Sequence, residues 1–342
     1  MPEVPPLTLQ DIVAPLFRKN MAPVLRDIKA AADQPGAHRA ILGPAYSGRD
    51  LFLRQLAEEY PSTAAVHTFT SPVTDLEAEL EPYHGAKLLF LNNAHYLAVR
   101  KIGGFGQLEA FRSFLATTET SVISAWNTTA WNYYSAIADL ETLHQEVVTI
   151  PPVSADGLRD AIRLHYEGKI NFVNDATIRQ SFFASPVTHT ITIPFTSRNI
   201  SVPWLSLDLT LLVSAVARKE REETPENAVL FHLDRVSQGN AGGAAALWNS
   251  GLEYPEIRIS HIREPPAVGD LSIDECNTLI SILMLESVGR DDLAAIRGED
   301  VDTILYRLKS RNLIEVTRSN LRIRPVMANS VLAHLTGIRM VS

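Results

Sequence analysis

Apolar and polar positions change rhythm several times along the chain, and each change marks an element. From Leu7 to about Ala32 the apolar residues Ile12, Leu16, Met21, Val24, Leu25 and Ile28 recur with a roughly helical period, and Asp33-Gln34-Pro35-Gly36 closes the segment with a turn. A strand over His38–Leu42 follows, then a helical pattern to about Tyr60, before Pro61. A second strand is expected near Ala65–Phe69. The unbroken apolar run Leu88–Leu91 reads as a strand buried on both faces of a parallel sheet. Helix over Gln107–Thr117, strand over Ser121–Asn127, helix over Trp131–Leu143 and strand over Gln145–Ile150 continue the alternation. Strands and helices taking turns in this way predict an α/β domain on a parallel sheet.

Past Ile150 the pattern changes. Pro151-Pro152 forms a stiff hinge, and Ser154 is a good N-cap for the helix after it. Thr188–Phe195 and Asn199–Trp204 then alternate like strands about a Thr196–Asn199 turn, and Pro194 and Pro203 confine both arms to edge positions. Ile193, Phe195 and Trp204 fall on one stripe of this hairpin and are candidate contacts for a protein partner. Helices are expected over Leu207–Arg221 and Pro225–Ser237. A linker, Arg263–Asp270, leads to three helices (Ser272–Leu285, Arg290–Ile296, Asp300–Lys309) and two short strands (Leu313–Val316, Leu321–Arg324). That order predicts a winged helix. Its third helix and wing carry Arg307, Lys309, Arg311, Arg318, Arg322 and Arg324, candidates for DNA contact. The expected division is a helical extension over 1–34, an α/β core over 35–150, a helical lid over 151–262 with the hairpin near 187–204, and a winged helix over 268–342.

The chemistry concentrates in Ala40–Asp50. An apolar strand, Gly43, four residues, Gly48 and then an amphipathic helix is the layout of a P-loop, where backbone N–H groups and a helix N-terminus cradle polyphosphate. The full motif is G-x-x-x-x-G-K-[ST], but Arg49 stands at the lysine position and Asp50 at the magnesium-binding hydroxyl. In P-loop ATPases the strand corresponding to Leu88–Leu91 ends in two acids that serve magnesium and water. Here Asn92 and Asn93 end it, and amides carry no charge for a metal and take no proton. Asn127 ends the next buried strand, where a γ-phosphate sensor would sit. These substitutions leave two readings of the site. Arg49 and Asp50 fill the anion position themselves, or Arg49 takes phosphate while Asp50 takes magnesium.

Composition narrows the classes. The 342-residue chain has 31 basic and 39 acidic residues and a formal charge of -8, which argues against a protein coated in nucleic acid. One cysteine, Cys276, forms no internal disulfide, so a reducing, cytoplasmic setting is expected. The N-terminus lacks the pattern of a signal peptide, and no apolar run reaches the length of a membrane span. His84, His95, His144 and His165 show no metal-ligand spacing.

Gly43 and Gly48, the Leu88–Asn93 strand, Asn127 and the Ile150-Pro151-Pro152-Val153-Ser154 passage make the chain resemble the AAA+ P-loop ATPases, in the branch of origin-recognition initiators and transposition regulators. Gly239-Asn240 before a helix extends the likeness, although Ala241-Gly242 replaces the Pro-Arg that often supplies a lid arginine there. The trans-acting arginine before the last strand is also missing, with Leu143-His144-Gln145 in its place. The resemblance implies a nucleotide-fold core with lid and winged helix, ATP with magnesium as the family cofactor, and assembly with a protein partner or with itself. The departures imply a structural or regulatory subunit with little or no hydrolysis. The alternatives are an ATPase with an unconventional site and a winged-helix DNA-binding initiator or transposition regulator.

Overall fold

The computed structural model describes residues 5–20, 35–60, 64–175, 184–192, 199–207, 224–298, 301–317 and 320–341. Its centre is a five-stranded sheet in the order β2-β3-β4-β1-β5, built from β1 (His38–Gly43), β2 (Ala64–Thr68), β3 (Leu88–Asn92), β4 (Ser121–Asn127) and β5 (Glu146–Thr149). Every pairing in it is parallel. Strands β3 and β4 are buried along their whole length, β3 as its apolar run Leu88–Leu91 requires and β4 with Ser121, Ser124 and Asn127 among its buried residues. With helices on its faces and a glycine loop leaving β1, this is the parallel-sheet α/β core with a P-loop layout expected from the sequence.

The two-residue period of the strands divides the interior. Ala40, Leu42, Leu89, Leu91, Val122 and Trp126 point to one side, toward α4 (Gly106–Thr117) and α5 (Thr128–Ala138). Their cluster runs without a break into α9 (Ile273–Leu285), α10 (Arg290–Arg297), α11 (Asp302–Ser310) and α12 (Ala328–Gly337). Ile41, Leu88, Phe90, Ile123, Ala125 and Val148 point to the other side. There they join α1 (Leu9–Asn20), α2 (Arg49–Glu58), α6 (Ala155–His165), α7 (Pro225–Ser237) and α8 (Ala241–Gly251). The loop leaving β1 therefore lies where α8 and the C-terminal unit meet.

The C-terminal unit has the three helices and two strands the sequence predicted, β12 (Ile314–Thr317) and β13 (Asn320–Ile323), and adds a strand that was not expected, β11 (Val288–Gly289), to give an antiparallel sheet in the order β11-β13-β12. Helix α9 starts on a capping box, with the Ser272 side chain accepting from the Glu275 N–H and Glu275 reaching back to the Ser272 N–H. Every residue from Thr278 to Leu285 is buried, so α9 is the spine of this half.

Several boundaries differ from expectation. The helix expected over Trp131–Leu143 breaks at Asp139, which takes a left-handed backbone (φ 50), and a 3-10 turn, Leu140–Leu143, replaces its end. Helix α12 was not expected. Neither was the small sheet of β6 (Asn171–Val173), β9 (Leu252–Glu253) and β10 (Glu256–Arg258). The hairpin pairs β7 (Ala184–Thr192) with β8 (Asn199–Leu207), placing Val187 opposite Trp204 and Ile191 opposite Ile200. Ile193, Phe195, most of the helix expected over Leu207–Arg221 and residues 21–34 lie outside the described residues. Among the described residues no helix is long and apolar enough to cross a membrane.

Candidate functional site

Both glycines of the loop have close neighbours, and Gly48 is required by its own. A Cβ on Gly43 would lie 2.4 Å from Ser47 Oγ. Gly48 caps α2 with φ 84, and a Cβ there would lie 2.7 Å from Val13 Cγ2 of α1. The loop is thus shaped and covered by the N-terminal helix.

Arg49 opens α2 and is 3% exposed. Its Nη1 donates to Gly43 O at 2.8 Å and to Glu286 Oε1 at 2.9 Å, and its Nη2 donates to Glu286 Oε2 at 3.1 Å. This is a bidentate fork on a carboxylate from the C-terminal unit. Asn127 Nδ2 adds a bond to Glu286 Oε1 at 2.7 Å and one to Leu283 O at 3.2 Å. Meanwhile Asn127 Oδ1 caps α5 by accepting from the N–H groups of Thr129 and Ala130. Burial on its own would raise the Glu286 carboxyl, but the Arg49 charge, His95 and the bonds from Arg49 and Asn127 hold it at about 2. The negative charge at the mouth of the P-loop belongs to Glu286.

That finding corrects the expected self-filled loop. Asp50 pairs with Arg54 one turn along α2, at 3.1 Å, with both side chains largely exposed. Asn92 is buried, and its Oδ1 accepts from the Asn93 N–H at 3.0 Å. Asn93 takes a left-handed backbone (φ 56) and donates from Nδ2 to Phe69 O at 3.1 Å. Both amides shape the turn after β3. The start of α8 seals the opposite side: Asn240 Nδ2 donates to Ala45 O at 2.7 Å, and the Gly242 N–H donates to Tyr46 O at 3.0 Å. A Cβ on Gly242 would come within 2.6 Å of Tyr46 Cβ, so this position of the lid has no room for an arginine. The C-terminal unit is tied in again where Tyr46 Oη donates to Ile323 O and Tyr96 Oη donates to Ser287 O.

Beside the clasp lies a cavity of about 390 Å³, lined among others by Ser47, Arg49, Arg54, Asn93, Glu286 and Arg322. Ser47 Oγ, Arg49 Nε and His95 Nδ1 are buried there without a hydrogen-bond partner. The residues present do not fit magnesium–nucleotide. The only cation at the lysine position is engaged by Glu286, Asp50 is turned to Arg54, and β3 ends in amides. Among the described residues no group of three or more His, Cys, Asp or Glu side chains could hold a metal.

The basic candidates of the C-terminal unit do not share one place. Arg322 stands opposite Glu315 and lines the P-loop cavity. Lys309 lines a separate cavity of about 720 Å³ with Arg290, Asp291 and Asp292. Arg311 Nη1 donates to Asp270 O at 2.6 Å, Arg307 is exposed and Arg324 is half-buried. Arg318 lies outside the described residues. The site residue that sequence reasoning missed is Glu286, a single acid following the apolar run of α9.

No family model and no curated protein matches the chain. Solved structures that resemble it include the Thermotoga maritima RuvB Holliday junction branch migration motor, with 13% identity, 93% of this chain and 94% of that chain covered, and a TM-score of 0.40. The Aeropyrum pernix ORC2 protein in ADPNP–ADP complexes gives 12% identity, 98% coverage of both chains and a TM-score of 0.40. The Aeropyrum pernix ORC1 protein in complex with DNA gives 14% identity, 97% and 98% coverage and a TM-score of 0.39. Likeness at this level concerns overall architecture alone.

Proposed function

We propose that this chain is an AAA+-like subunit with degenerate nucleotide motifs, acting as a structural or regulatory part of an assembly and hydrolysing little or no ATP. The observation that carries this reading is the engagement of Arg49. Its guanidinium is divided between Gly43 O and both oxygens of Glu286, which leaves the P-loop without a free cation for phosphate. Asn92 and Asn93 supply no base, and a positioned base alone typically contributes about 10²–10⁴-fold in rate. The divisions expected from the sequence stand as part of the proposal, with a winged helix over 268–342 and the hairpin as a partner-binding element presenting Ile193, Phe195 and Trp204.

Steady-state ATP turnover should not rise above background with magnesium present. Turnover that is clear in the wild type and lost on Arg49→Ala would overturn this reading in favour of an unconventional ATPase.

A further inference from the structure

Glu286 departs from ordinary backbone geometry. It ends α9 with φ 59 and ψ -41, a combination that side-chain-bearing residues rarely adopt. Such a conformation persists where the surroundings over-determine it, and here they do. The carboxylate is held by Arg49 and Asn127, Leu283 O by Asn127 and Ser287 O by Tyr96. All these bonds tie the C-terminal end of α9 to the P-loop side of the core, and the ion pair among them joins Glu286 to Arg49 at the mouth of the loop.

We propose that the P-loop is the socket of an interdomain latch, in which the Glu286 carboxylate stands in for a phosphate group and excludes a polyphosphate anion from the same place. This rests on the reading of a closed nucleotide site and adds what closes it and what that closure holds. The cavity next to the clasp supplies what an incoming anion would need. Ser47 Oγ and Arg49 Nε lack partners, Arg322 lines the wall, and Arg54 lines it together with its partner Asp50. The hydroxyl and guanidinium donors, with the N-terminus of α2, make a phosphate-type site as soon as Glu286 leaves. A ligand that binds only the released state has its affinity reduced by the fraction of molecules in that state. Binding must therefore loosen the end of α9, and loosening α9 must strengthen binding.

The test uses the full chain and inorganic tripolyphosphate without magnesium, with calorimetry and amide exchange over residues 283–289 as readouts. Glu286→Gln keeps the side-chain length and removes the charge. Glu286→Gly removes the carboxylate but suits the backbone at φ 59, so it guards against a folding failure of the first variant. Both should bind tripolyphosphate at least tenfold more tightly than the wild type, and saturating anion should speed exchange over 283–289 in the wild type. Equal affinity in wild type and both variants, or binding with no change over 283–289, would overturn the latch. Weak binding that is the same in all three proteins would sink the latch and leave the absence of hydrolysis intact. Magnesium-dependent ATP turnover in the wild type would instead count against the reading beneath it.

Discussion

Glu286→Leu should lower the unfolding free energy by about 3–5 kcal/mol, because it leaves a nearly buried guanidinium without its counter-charge. Arg49 is 4% exposed at its side chain against 23% for Glu286, so the two halves of the pair are not equivalent. Arg49→Met strands a carboxylate that still reaches solvent and keeps the Asn127 amide, and it should cost less, about 1–2 kcal/mol. The double variant, Arg49→Met with Glu286→Leu, should recover most of the loss of Glu286→Leu, since apolar groups of similar volume often replace a buried pair at little cost. Urea unfolding of the four proteins in a buffer free of phosphate and sulfate gives the cycle. Single losses that simply add in the double variant would mean that the two groups do not interact in solution.

Acidification should destabilise the protein from about pH 6.5 downward, with a loss of about 5 kcal/mol between pH 7 and pH 4.5. The cause is buried neutral imidazole. Burial pushes His95 down to about 3, against the opposing pull of Glu286, with Arg49 adding to the depression. Burial likewise pushes His144 down to about 4, and His38 is lowered for the same reason. The His144 ring lies at 2.8 Å from Leu140 O through Nδ1 and at 3.2 Å from Ser124 Oγ through Nε2, partners that suit the neutral form. Unfolded, these groups titrate near 6.5, so the unfolded chain binds more protons at every pH between the folded and unfolded values. Stability is complete above that unfolded value and falls as pH drops through the window. A pH of 4.5 lies about two units below that unfolded value and above both folded values, and for each of His95 and His144 each unit of pH is worth about 1.4 kcal/mol. Glu286 has the opposite kind of shift. Its contribution is present above the ordinary glutamate value and is lost only as pH falls toward about 2, so it adds nothing to the change above pH 5. Urea midpoints at pH 7, 5.5 and 4.5 check this. A flat profile from pH 7 to 5 would contradict the neutral, buried state of these histidines.

Much of the core was legible because its signals are local. The β3 run is continuous and apolar through Leu91, and β4 is mostly apolar, since both strands lie inside the sheet with both faces covered. Gly43 and Gly48 were legible by register, and the structure adds their steric reasons, Ser47 and Val13. Asn127 was placed correctly at the end of a buried strand, but the side chain it meets comes from far along the chain. The Arg49–Glu286 pair spans 237 positions, and nothing local to Leu285-Glu286-Ser287 marks the acid as the occupant of a distant loop. Arg49 next to Asp50 invited a local pairing, whereas a helix brings residues four apart together, and Asp50 turns to Arg54 instead. Helix α12 was missed because only Val331, Leu332 and Leu335 mark an apolar face in its ten residues.

With Glu286 in the place a nucleotide phosphate would take, the wild-type P-loop is closed to magnesium–ATP. Calorimetric titration of the full chain with ATP and magnesium tests it most directly. The expected result is binding no tighter than about millimolar, equivalent to roughly −4 kcal/mol, with no dependence on magnesium. Micromolar, magnesium-dependent binding by the wild type would contradict it.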